Sequence, residues 1–440
     1  MTLVTATVKN KTTVTASTNS VTIGGAAASV TIGVFSDAGH TTPITSAYFG
    51  ATVYLTATPS SGFVPTSYRF YFEDFTGGLT LIYEGANDNS SWVVYGVSGL
   101  GRLFSEATDD DENWVGVDAD LTTVGLLMLD IYTGAIIAPS LIKLRSLYSG
   151  GLERLRRSSN SNEADFTPTN ANTPPIIALD SIASGGVPSS VDGDTLAQFM
   201  TTDDGFASVV YDQSTFGNDL AQATANNQPS SVYSGIVDTI GGNPILDFDG
   251  SNDALLAWNN EAAPVSFQGI GNAISIVFWV STEGLSFSGM FWRPDLTIVE
   301  CRQNNSSDAK IPFSVGMANN KVSVGVADNY TFSYDRFEST FTYSTGTLYA
   351  FAVTIDNNTI KMYVNGSLDS THTIVNSTGD RSIGTTNSSL SYGVRTRDGG
   401  QADENYYNGK MIHLPIIFPS VLTAAQVLAI YNDFQSSCYT

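Results

Sequence analysis

Short segments in which apolar residues alternate with small polar ones recur along most of this chain. Ala51–Ala57 and Phe351–Ile355 alternate in this way, and Ile360–Val364 follows the second of these after an Asp-Asn-Asn turn. A period of two places successive side chains on opposite faces of a strand. One segment, Leu422–Phe434, has a helical period instead. The pattern therefore predicts an all-β chain that ends in a short helix.

The acidic composition excludes two classes of partner. The 440 residues include 42 acidic and 19 basic ones, which gives a formal net charge of −23. Such a surface repels nucleic acid and anionic membranes, so neither is expected as a partner. The sequence has no long apolar run, so no membrane insertion is expected. Residues 1–17 lack the basic and apolar regions of a secretory signal.

Turn signals divide the chain into two folded regions. Residues 1–20 alternate Thr with Val or Ala, which predicts either an extended arm that pairs with another protein's sheet or the first edge strand of the next domain. Residues 21–122 contain short strands at intervals of about 8–12 residues, as in a β-sandwich. Residues 123–138 are predicted to connect this sandwich to one large jelly roll over residues 139–440.

The stretch of residues 50–75, GATVYLTATPSSGFVPTSYRFYFEDF, resembles immunoglobulin-like modules of the polycystic-kidney-disease type. In those modules a Pro-x-Ser-Tyr-aromatic strand fills the core. Here Tyr68, Phe70 and Phe72 would share one face of that strand. The resemblance implies an immunoglobulin-like β-sandwich as the first domain.

Several segments of the second region resemble the concanavalin-A-like, laminin-G-type family. Asn243–Leu256 (NPILDFDGSNDALL) is similar to a family strand with its Asp-Gly turn, and Ala273–Val280 to the core strand that follows. Tyr349–Leu368 is similar to a hairpin that ends in Tyr-Val-Asn-Gly, and residues 407–431 to the closing strand and terminal helix. The resemblance implies a lectin-like jelly-roll sandwich.

Two further segments, Pro139–Ser159 and Val209–Ala223, resemble signatures of fungal-type α-L-arabinofuranosidase catalytic domains, which share this jelly roll. The same two signatures recur in many bacteriophage structural proteins. They therefore indicate a subtype of the fold more reliably than an activity.

A retaining glycosidase of that kind needs two carboxylates about 5 Å apart. The resemblance offers Glu300 as the nucleophile and Asp398 as the acid. The adjacent cysteine pair of the family's sugar pocket is missing, because Cys301 stands alone in that neighbourhood. The alternatives are a solvent-facing carboxylate at a strand end for Glu300 and an ion pair with Arg395 or Arg397 for Asp398. We therefore expect a protein that is not an enzyme.

Glycan binding is the main functional alternative to a purely structural role. Jelly rolls of this family often bind sugars by stacking aromatic rings on the sugar faces. Five aromatic residues in or near loop-like segments are the candidates, each with core packing as its alternative: Trp258, Trp292, Tyr330, Tyr334 and Tyr406.

Calcium is the one cofactor for which candidate ligands occur. Asp249 and Asp253 lie in the turn FDGSND, and Asp109–Glu112 is a run of four acidic residues. Turn formation explains the first pair and a solvated loop explains the run, so no cofactor is expected. The cysteines, Cys301 and Cys438, are too few for a disulfide framework; the alternatives are a single bridge and two buried or idle thiols, and we expect the second.

Basic residues gather at one place in this acidic chain, at Arg145, Arg154, Arg156 and Arg157. This run could bind an acidic neighbour such as a capsid protein. The alternative is pairing within the strand, for example of Glu153 with Arg157.

Together these features predict a bacteriophage virion protein, of the capsid-decorating, head-fibre or tail-appendage kind. The N-terminal arm and the immunoglobulin-like module would bind other virion proteins, and the jelly roll would be displayed on the particle surface toward cell-surface glycans. A trimer or pentamer is expected. The alternatives are an arabinofuranosidase-like glycoside hydrolase and a secreted lectin-like adhesin.

Overall fold

The computed structural model describes residues 30–35, 46–48, 52–59, 65–73, 79–87, 89–93, 99–108, 114–124, 127–169, 175–268, 270, 272–283, 296–303, 310–329, 333–383, 387–395 and 405–438. The chain separates into two compact units, residues 1–126 and residues 127–440. The predicted N-terminal arm, residues 1–20, lies outside the described residues. No helix in the described ranges is long and apolar enough to cross a membrane.

The described strands of the first unit are β1 (Val30–Phe35), β2 (Ser46–Tyr48), β3 (Thr52–Pro59), β4 (Ser67–Glu73), β5 (Leu79–Gly85), β6 (Asn89–Val93), β7 (Gly99–Thr108) and β8 (Trp114–Val124).

The first unit consists of two sheets, in the strand orders β1-β3-β6 and β2-β8-β7-β4-β5. Leu55 of β3 and Phe70 of β4 are fully buried, and Tyr68 is 7% exposed. Tyr68 and Phe70 are two residues apart, so they lie on one face of β4, as the sequence predicts. The side chain of Phe72 lies outside the described part. The immunoglobulin-like assignment of this unit stays a prediction.

The second unit begins with helix α1 (Met128–Ile131). Its described strands up to residue 261 are β9 (Glu153–Arg157), β10 (Glu163–Thr167), β11 (Ile182–Val187), β12 (Gly205–Val210), β13 (Leu220–Ala221), β14 (Ser230–Tyr233), β15 (Ile236–Val237), β16 (Thr239–Ile240), β17 (Asn243–Pro244), β18 (Leu246–Asp249) and β19 (Leu255–Glu261). Helix α2 (Leu196–Met200) precedes β12.

The later strands are β20 (Ala273–Thr282), β21 (Leu296–Gln303), β22 (Lys310–Ala318), β23 (Lys321–Asn329), β24 (Ser333–Glu338), β25 (Tyr349–Asp356), β26 (Thr359–Val364), β27 (Ser367–Thr373), β28 (Ser388–Tyr392) and β29 (Asn408–Phe418). Helix α3 (Ala424–Cys438) ends the described chain, so the all-β prediction with a C-terminal helix is confirmed.

Two antiparallel sheets form the body of the second unit. The front sheet has the strand order β24-β23-β22-β21-β28-β19-β13. The back sheet has the order β27-β26-β25-β20-β29-β18-β14. Strand β12 pairs with both β13 and β14, so it joins the two sheets. Strands β9, β10 and β11 continue from β12.

One hydrophobic core fills the space between the front and back sheets. Phe313 and Val315 of β22 pack in the same cluster as Phe278 of β20 and Val353 of β25. Each of these four side chains is at most 1% exposed. A sandwich core is built in this way, with alternate residues of each strand pointing inward. The core holds the two sheets in register, so it fixes which residues of the front sheet point away from it.

The back sheet is apolar on its outer face as well. Val277 and Trp279 of β20 point away from the sandwich core and pack in a second cluster. Val427 and Phe434 of α3 belong to the same cluster, so the helix covers this face. Strand β20 is therefore buried on both sides, which explains its continuous apolar run from Ile276 to Val280. His413 lies between Trp279 and Phe434, where burial lowers its pKa to about 3.

Residues 123–138, predicted as a linker or connecting strand, include positions that belong to the two folded units. Val124 still belongs to β8, and Met128 and Leu129 of α1 are buried in the second unit. Ala138 is fully buried in the same cluster. The apolar side chains of Met128, Leu129 and Ala138 therefore pack on the back sheet.

The signature at Val209–Ala223 ties residues 136–144 to the sandwich. The Asp212 carboxylate accepts hydrogen bonds from the backbone N–H groups of Ala138 (2.8 Å), Ser214 (2.8 Å) and Asn218 (2.8 Å). The Gln213 amide accepts from the N–H of Leu144 and donates to two carbonyls of the same segment. We call this arrangement the Asp212 latch. Its residues meet backbone groups, so the signature marks a structural requirement of the fold.

We expect Asp212→Ala to lower the free energy of unfolding of the second unit by roughly 3–5 kcal/mol, because three N–H groups lose their acceptor at a buried position. Asp249→Ala is the matched control. Its carboxylate caps only exposed N–H groups in a turn, so the loss should stay below about 1 kcal/mol. Urea unfolding followed by circular dichroism measures both, and equal losses would contradict the structural role of the latch.

Candidate functional site

A β-bulge in strand β21 determines which of its side chains point into the core and which point to the outer face of the sheet. Thr297 pairs with Gly316 and Val299 with Val315, so one extra residue lies between the paired positions. The bulge places Thr297 and Glu300, three residues apart, on the same face. Cys301 and the other apolar residues of β21 point into the sandwich core.

The outer face of the front sheet is polar, in contrast to that of the back sheet. Cross-strand partners continue this face over five strands, because residues directly opposite each other share a face. We define the polar face by these residues: Thr297, Glu300, Arg302, Ser314, Gly316, Ser323, Gly325, Arg336, Glu338, Ser389 and Ser391.

Glu300 lies at the centre of the polar face and is 1% exposed. Neither of its carboxylate oxygens, Oε1 and Oε2, has a hydrogen-bond partner. The Nη1 atom of Arg302 lies 3.9 Å from Oε1, which is an ion-pair distance and too long for a hydrogen bond. A buried carboxylate without hydrogen bonds costs several kcal/mol. Residues that carry such a cost are characteristic of binding and catalytic sites.

Two hydroxyl groups beside Glu300 are also buried without a hydrogen-bond partner. Ser314 lies directly opposite Glu300 on β22, and its Oγ is buried without a partner, as is Oγ1 of Thr297. Away from this centre the polar face is satisfied. Arg336 donates to Ser323 (2.9 Å) and to a carboxylate oxygen of Glu338 (2.9 Å). The unused hydrogen-bonding capacity is therefore concentrated around Glu300.

The predicted catalytic pair can be placed only in part. Glu300 is inside an eight-residue strand and buried, so the alternative of a solvent-facing carboxylate at a strand end is wrong. Asp398 lies outside the described residues. The neighbouring thiol of Cys301 points into the core, where burial raises its pKa well above the usual range, so it is an inert thiol.

The aromatic candidates for glycan stacking do not gather at one place. Trp258 lies in β19, not in a loop, and is 4% exposed. It packs edge-on against Phe267 and donates a hydrogen bond to Ser388, so it has no free ring face to offer a sugar. Tyr334 lies in β24 with 38% of its surface exposed, and Tyr406 is half-buried before β29. Trp292 and Tyr330 lie outside the described residues.

The calcium candidates form a turn. Asp249 accepts hydrogen bonds from the N–H groups of Ser251 and Asn252, and Asp253 accepts from the N–H of Asp249. Burial raises the pKa of Asp253 to about 7. In the described part of the chain, no three His, Cys, Asp or Glu side chains are arranged to hold a metal ion. The run Asp109–Glu112 lies outside it.

The basic residues of β9 pair within the unit, but not as predicted. Arg157 forms its ion pair with Asp203, and Arg154 binds both carboxylate oxygens of Asp165. Glu153 points inward, where burial raises its pKa to about 8 and Ser231 donates to it. The predicted pair of Glu153 with Arg157 is therefore wrong, because Asp165 of β10 and Asp203, in the turn before β12, supply the partners of the arginines.

Arg302, Ser314 and Thr297 were not among the candidates from the sequence. The segment LTIVECRQ has a nearly continuous apolar start, and its bulge shifts the alternation by one residue. A pattern of strict alternation would place Thr297 and Glu300 on opposite faces. The one available signal was the charged pair Glu300 and Arg302, two residues apart in a strand otherwise fit for a core.

Residues 249–428, less than half of the chain, match a family model described as the concanavalin A-like lectin/glucanases superfamily. Together with the two-sheet sandwich, this match shows a concanavalin-A-like fold in the second unit, as the sequence predicts. A search among curated protein sequences finds no match.

Several solved structures are similar at low identity. A heptameric SAP-like pentraxin from Limulus polyphemus is 15% identical over 44% of this chain and 84% of its own, with a TM-score of 0.31. Domain 4 of an extracellular arabinanase from Geobacillus stearothermophilus, in complex with arabinotriose, is 18% identical over 43% and 76%, with a TM-score of 0.30. The CBM40 domain of a Ruminococcus gnavus sialidase, bound to α2,3-sialyllactose, is 15% identical over 37% and 84%, with a TM-score of 0.28.

We expect Ser314→Ala to raise the free energy of unfolding by roughly 1 kcal/mol, because it removes a buried hydroxyl that has no partner. Ser339→Ala is the matched control. Ser339 is equally buried, at 1% exposure, but it accepts from Val322 and donates to Phe341. Its loss should cost about 1–3 kcal/mol. Chemical unfolding compares the two variants, and a similar loss in both would mean that Ser314 is satisfied in the free protein.

Proposed function

We propose that the second unit binds glycans at the polar face and that Glu300 is its principal contact. The observation that carries this proposal is the buried carboxylate of Glu300, which has no hydrogen-bond partner and lies beside two unused hydroxyl groups. Sugars present dense arrays of hydroxyl groups that donate and accept hydrogen bonds. Hydrogen bonds to an ionised carboxylate are the strong ones, so a sugar at this place would gain more than at a satisfied surface.

Binding without catalysis agrees best with the spacing of the carboxylates. Glycosidases use two carboxyl groups that are about 5–9.5 Å apart. Of the described side chains on the polar face, the other carboxylate belongs to Glu338 on β24. It lies three strands from Glu300, or roughly 14 Å at the usual strand spacing. This spacing of the described carboxylates supports a binding protein, and the predicted acid, Asp398, lies outside the described residues.

A glycan array probed with the full chain tests this function. We expect binding by the unchanged protein and a loss of about tenfold or more in Glu300→Gln, which removes a charged acceptor. Glu338→Gln is the control, because this carboxylate already accepts from Arg336 at the edge of the polar face and should leave the array signal unchanged. Release of arabinose from a chromogenic arabinofuranoside, abolished in Glu300→Gln, would replace the proposal with a hydrolase.

The setting of this binding function is a bacteriophage particle. The resemblance of Pro139–Ser159 and Val209–Ala223 to signatures that recur in phage structural proteins supports this part of the proposal. The first unit and the N-terminal residues would bind other virion proteins, and a trimer or pentamer would display the second units toward cell-surface glycans. Several copies raise the overall affinity of a weak sugar site, which suits an attachment role.

Particles purified on a density gradient, from lysates of the phage whose genome encodes this chain, test the setting. We expect immunoblots to find the protein in the particle band, and antibodies against the second unit to label intact particles because that unit is displayed. Recovery of the protein in the soluble fraction alone would contradict a virion role. Recovery in the soluble fraction would not contradict glycan binding, which the array tests independently.

A further inference from the structure

We propose that His413 is an acid-sensitive contact beneath α3, and that its protonation releases this helix from the back sheet. The contact is separate from the polar face and from the glycan-binding function proposed above. It makes the covering of the outer apolar face depend on pH.

The ring of His413 is enclosed between the back sheet and α3. The side chain is fully buried and lies directly opposite Trp279 of β20, so both point to the outer face of the back sheet. The centroid of the imidazole ring lies 5.1 Å from that of the Trp279 ring and 4.1 Å from that of the Phe434 ring in α3. The helix therefore helps to keep water away from the imidazole.

The hydrogen bonds of the imidazole suit the neutral ring and not the protonated one. Nδ1 shares a hydrogen bond of 2.9 Å with Oγ of Ser140, whereas Nε2 is buried without a partner. A neutral imidazole has one N–H donor, but the protonated ring has two. Protonation would therefore bury a positive charge and leave the N–H at Nε2 without an acceptor, which is costly. In water the same ring takes up its proton at mildly acidic pH.

No neighbouring charge offsets this cost in the described part of the chain. The titratable side chains on the segments packed around the ring form neither a hydrogen bond nor an ion pair with it; they are Asp130, Tyr132, Lys143, Lys410, Tyr431 and Asp433. Burial lowers the pKa of His413 to about 3, against about 6.5 for a histidine in water. The docked helix is therefore fully stabilised above about pH 6.5, and this stabilisation is lost as the pH falls toward 3.

Asp433 of α3 acts in the opposite sense. Burial raises the pKa of its carboxyl group, which accepts a hydrogen bond from Tyr132. A carboxyl group with a raised pKa takes up its proton more readily when the helix is docked, so its protonation favours docking. Asp433→Asn removes this contribution and should steepen the pH dependence that His413 causes.

Release of α3 leaves the sandwich itself in place. The helix packs in the outer apolar cluster with Val277 and Trp279, whereas the inner core holds the two sheets together. Residues 136–144, which also cover this face, are held by hydrogen bonds of the Asp212 latch. We therefore expect acid to detach α3 alone and to make apolar side chains such as Trp279 accessible.

Hydrogen–deuterium exchange of the full chain tests the inference. After correction for the intrinsic exchange rate at each pH, we expect the protection of the α3 amides to fall about tenfold per pH unit below about 6.5. This corresponds to roughly a hundredfold between about pH 7.5 and about pH 4.5. Amides of β22 and β25, which enclose the inner core, should keep their protection over the same range.

Substitution of the histidine assigns the effect. The side-chain amide in His413→Asn can replace the hydrogen bond of Nδ1 to Ser140 and does not titrate, so α3 protection should change less than about threefold over this range. His413→Leu makes the same test without a buried polar group. His372→Asn is the matched control, because the ring of His372 stacks on Phe337 of β24 and not on a residue of α3. This variant should keep the steep fall.

Three results would overturn the inference. Protection of α3 that does not depend on pH in the unchanged chain contradicts it without any variant. A fall of equal size in both His413 variants assigns the effect to another group. Simultaneous loss of protection in β22 and β25 means that the whole unit unfolds and that α3 is not released alone. None of these results bears on the glycan-binding function.

Discussion

Each sheet of the second unit has two faces, and only one of them is covered by the opposite sheet. The inner faces of both sheets are buried in the shared core, which includes Phe278, Phe313 and Val353. The outer face of the back sheet is apolar and needs a cover, which α3 and residues 127–144 supply. The outer face of the front sheet carries polar side chains instead. The unit therefore has one outer face that packs against apolar elements and another that carries buried polar side chains around Glu300.

The Asp212 latch is connected with the same need to cover the apolar outer face of the back sheet. Residues 136–144 must lie on the back sheet although they are not a continuous strand, so their backbone N–H and C=O groups lack a ladder to pair with. Asp212, Gln213 and Asn218 provide the missing partners from the end of β12. These contacts hold residues 136–144 on the back sheet and do not depend on a ligand. That explains in physical terms why the signature can accompany proteins of different activity.

Much of the fold could be predicted from the sequence, because alternation of apolar residues in β25 and β26 and the helical period of α3 are local patterns that agree with tertiary packing. The site could be predicted less well. Glu300 was a candidate only through the resemblance to arabinofuranosidase domains, and its surroundings depend on a bulge and on the register of β22 and β28, which no local pattern encodes. Trp258 was misplaced for a related reason. An indole beside turn-like residues gives the same sequence signal whether it faces solvent or, as here, donates to Ser388 inside the sandwich.

The position of Glu300 can also be weighed against the alternatives available to the same strand. A valine or threonine there would continue β21 at no desolvation cost, and the core behind it, at Val299 and Cys301, would be unchanged. Structural buried acids in this unit look different: Asp335 accepts from the N–H groups of residues 375–377, and Asp212 closes the latch. Glu300 accepts no hydrogen bond among the described residues, and Arg302 lies at an ion-pair distance of 3.9 Å from it. A buried carboxylate that accepts no hydrogen bond supports the proposal that Glu300 contacts a ligand.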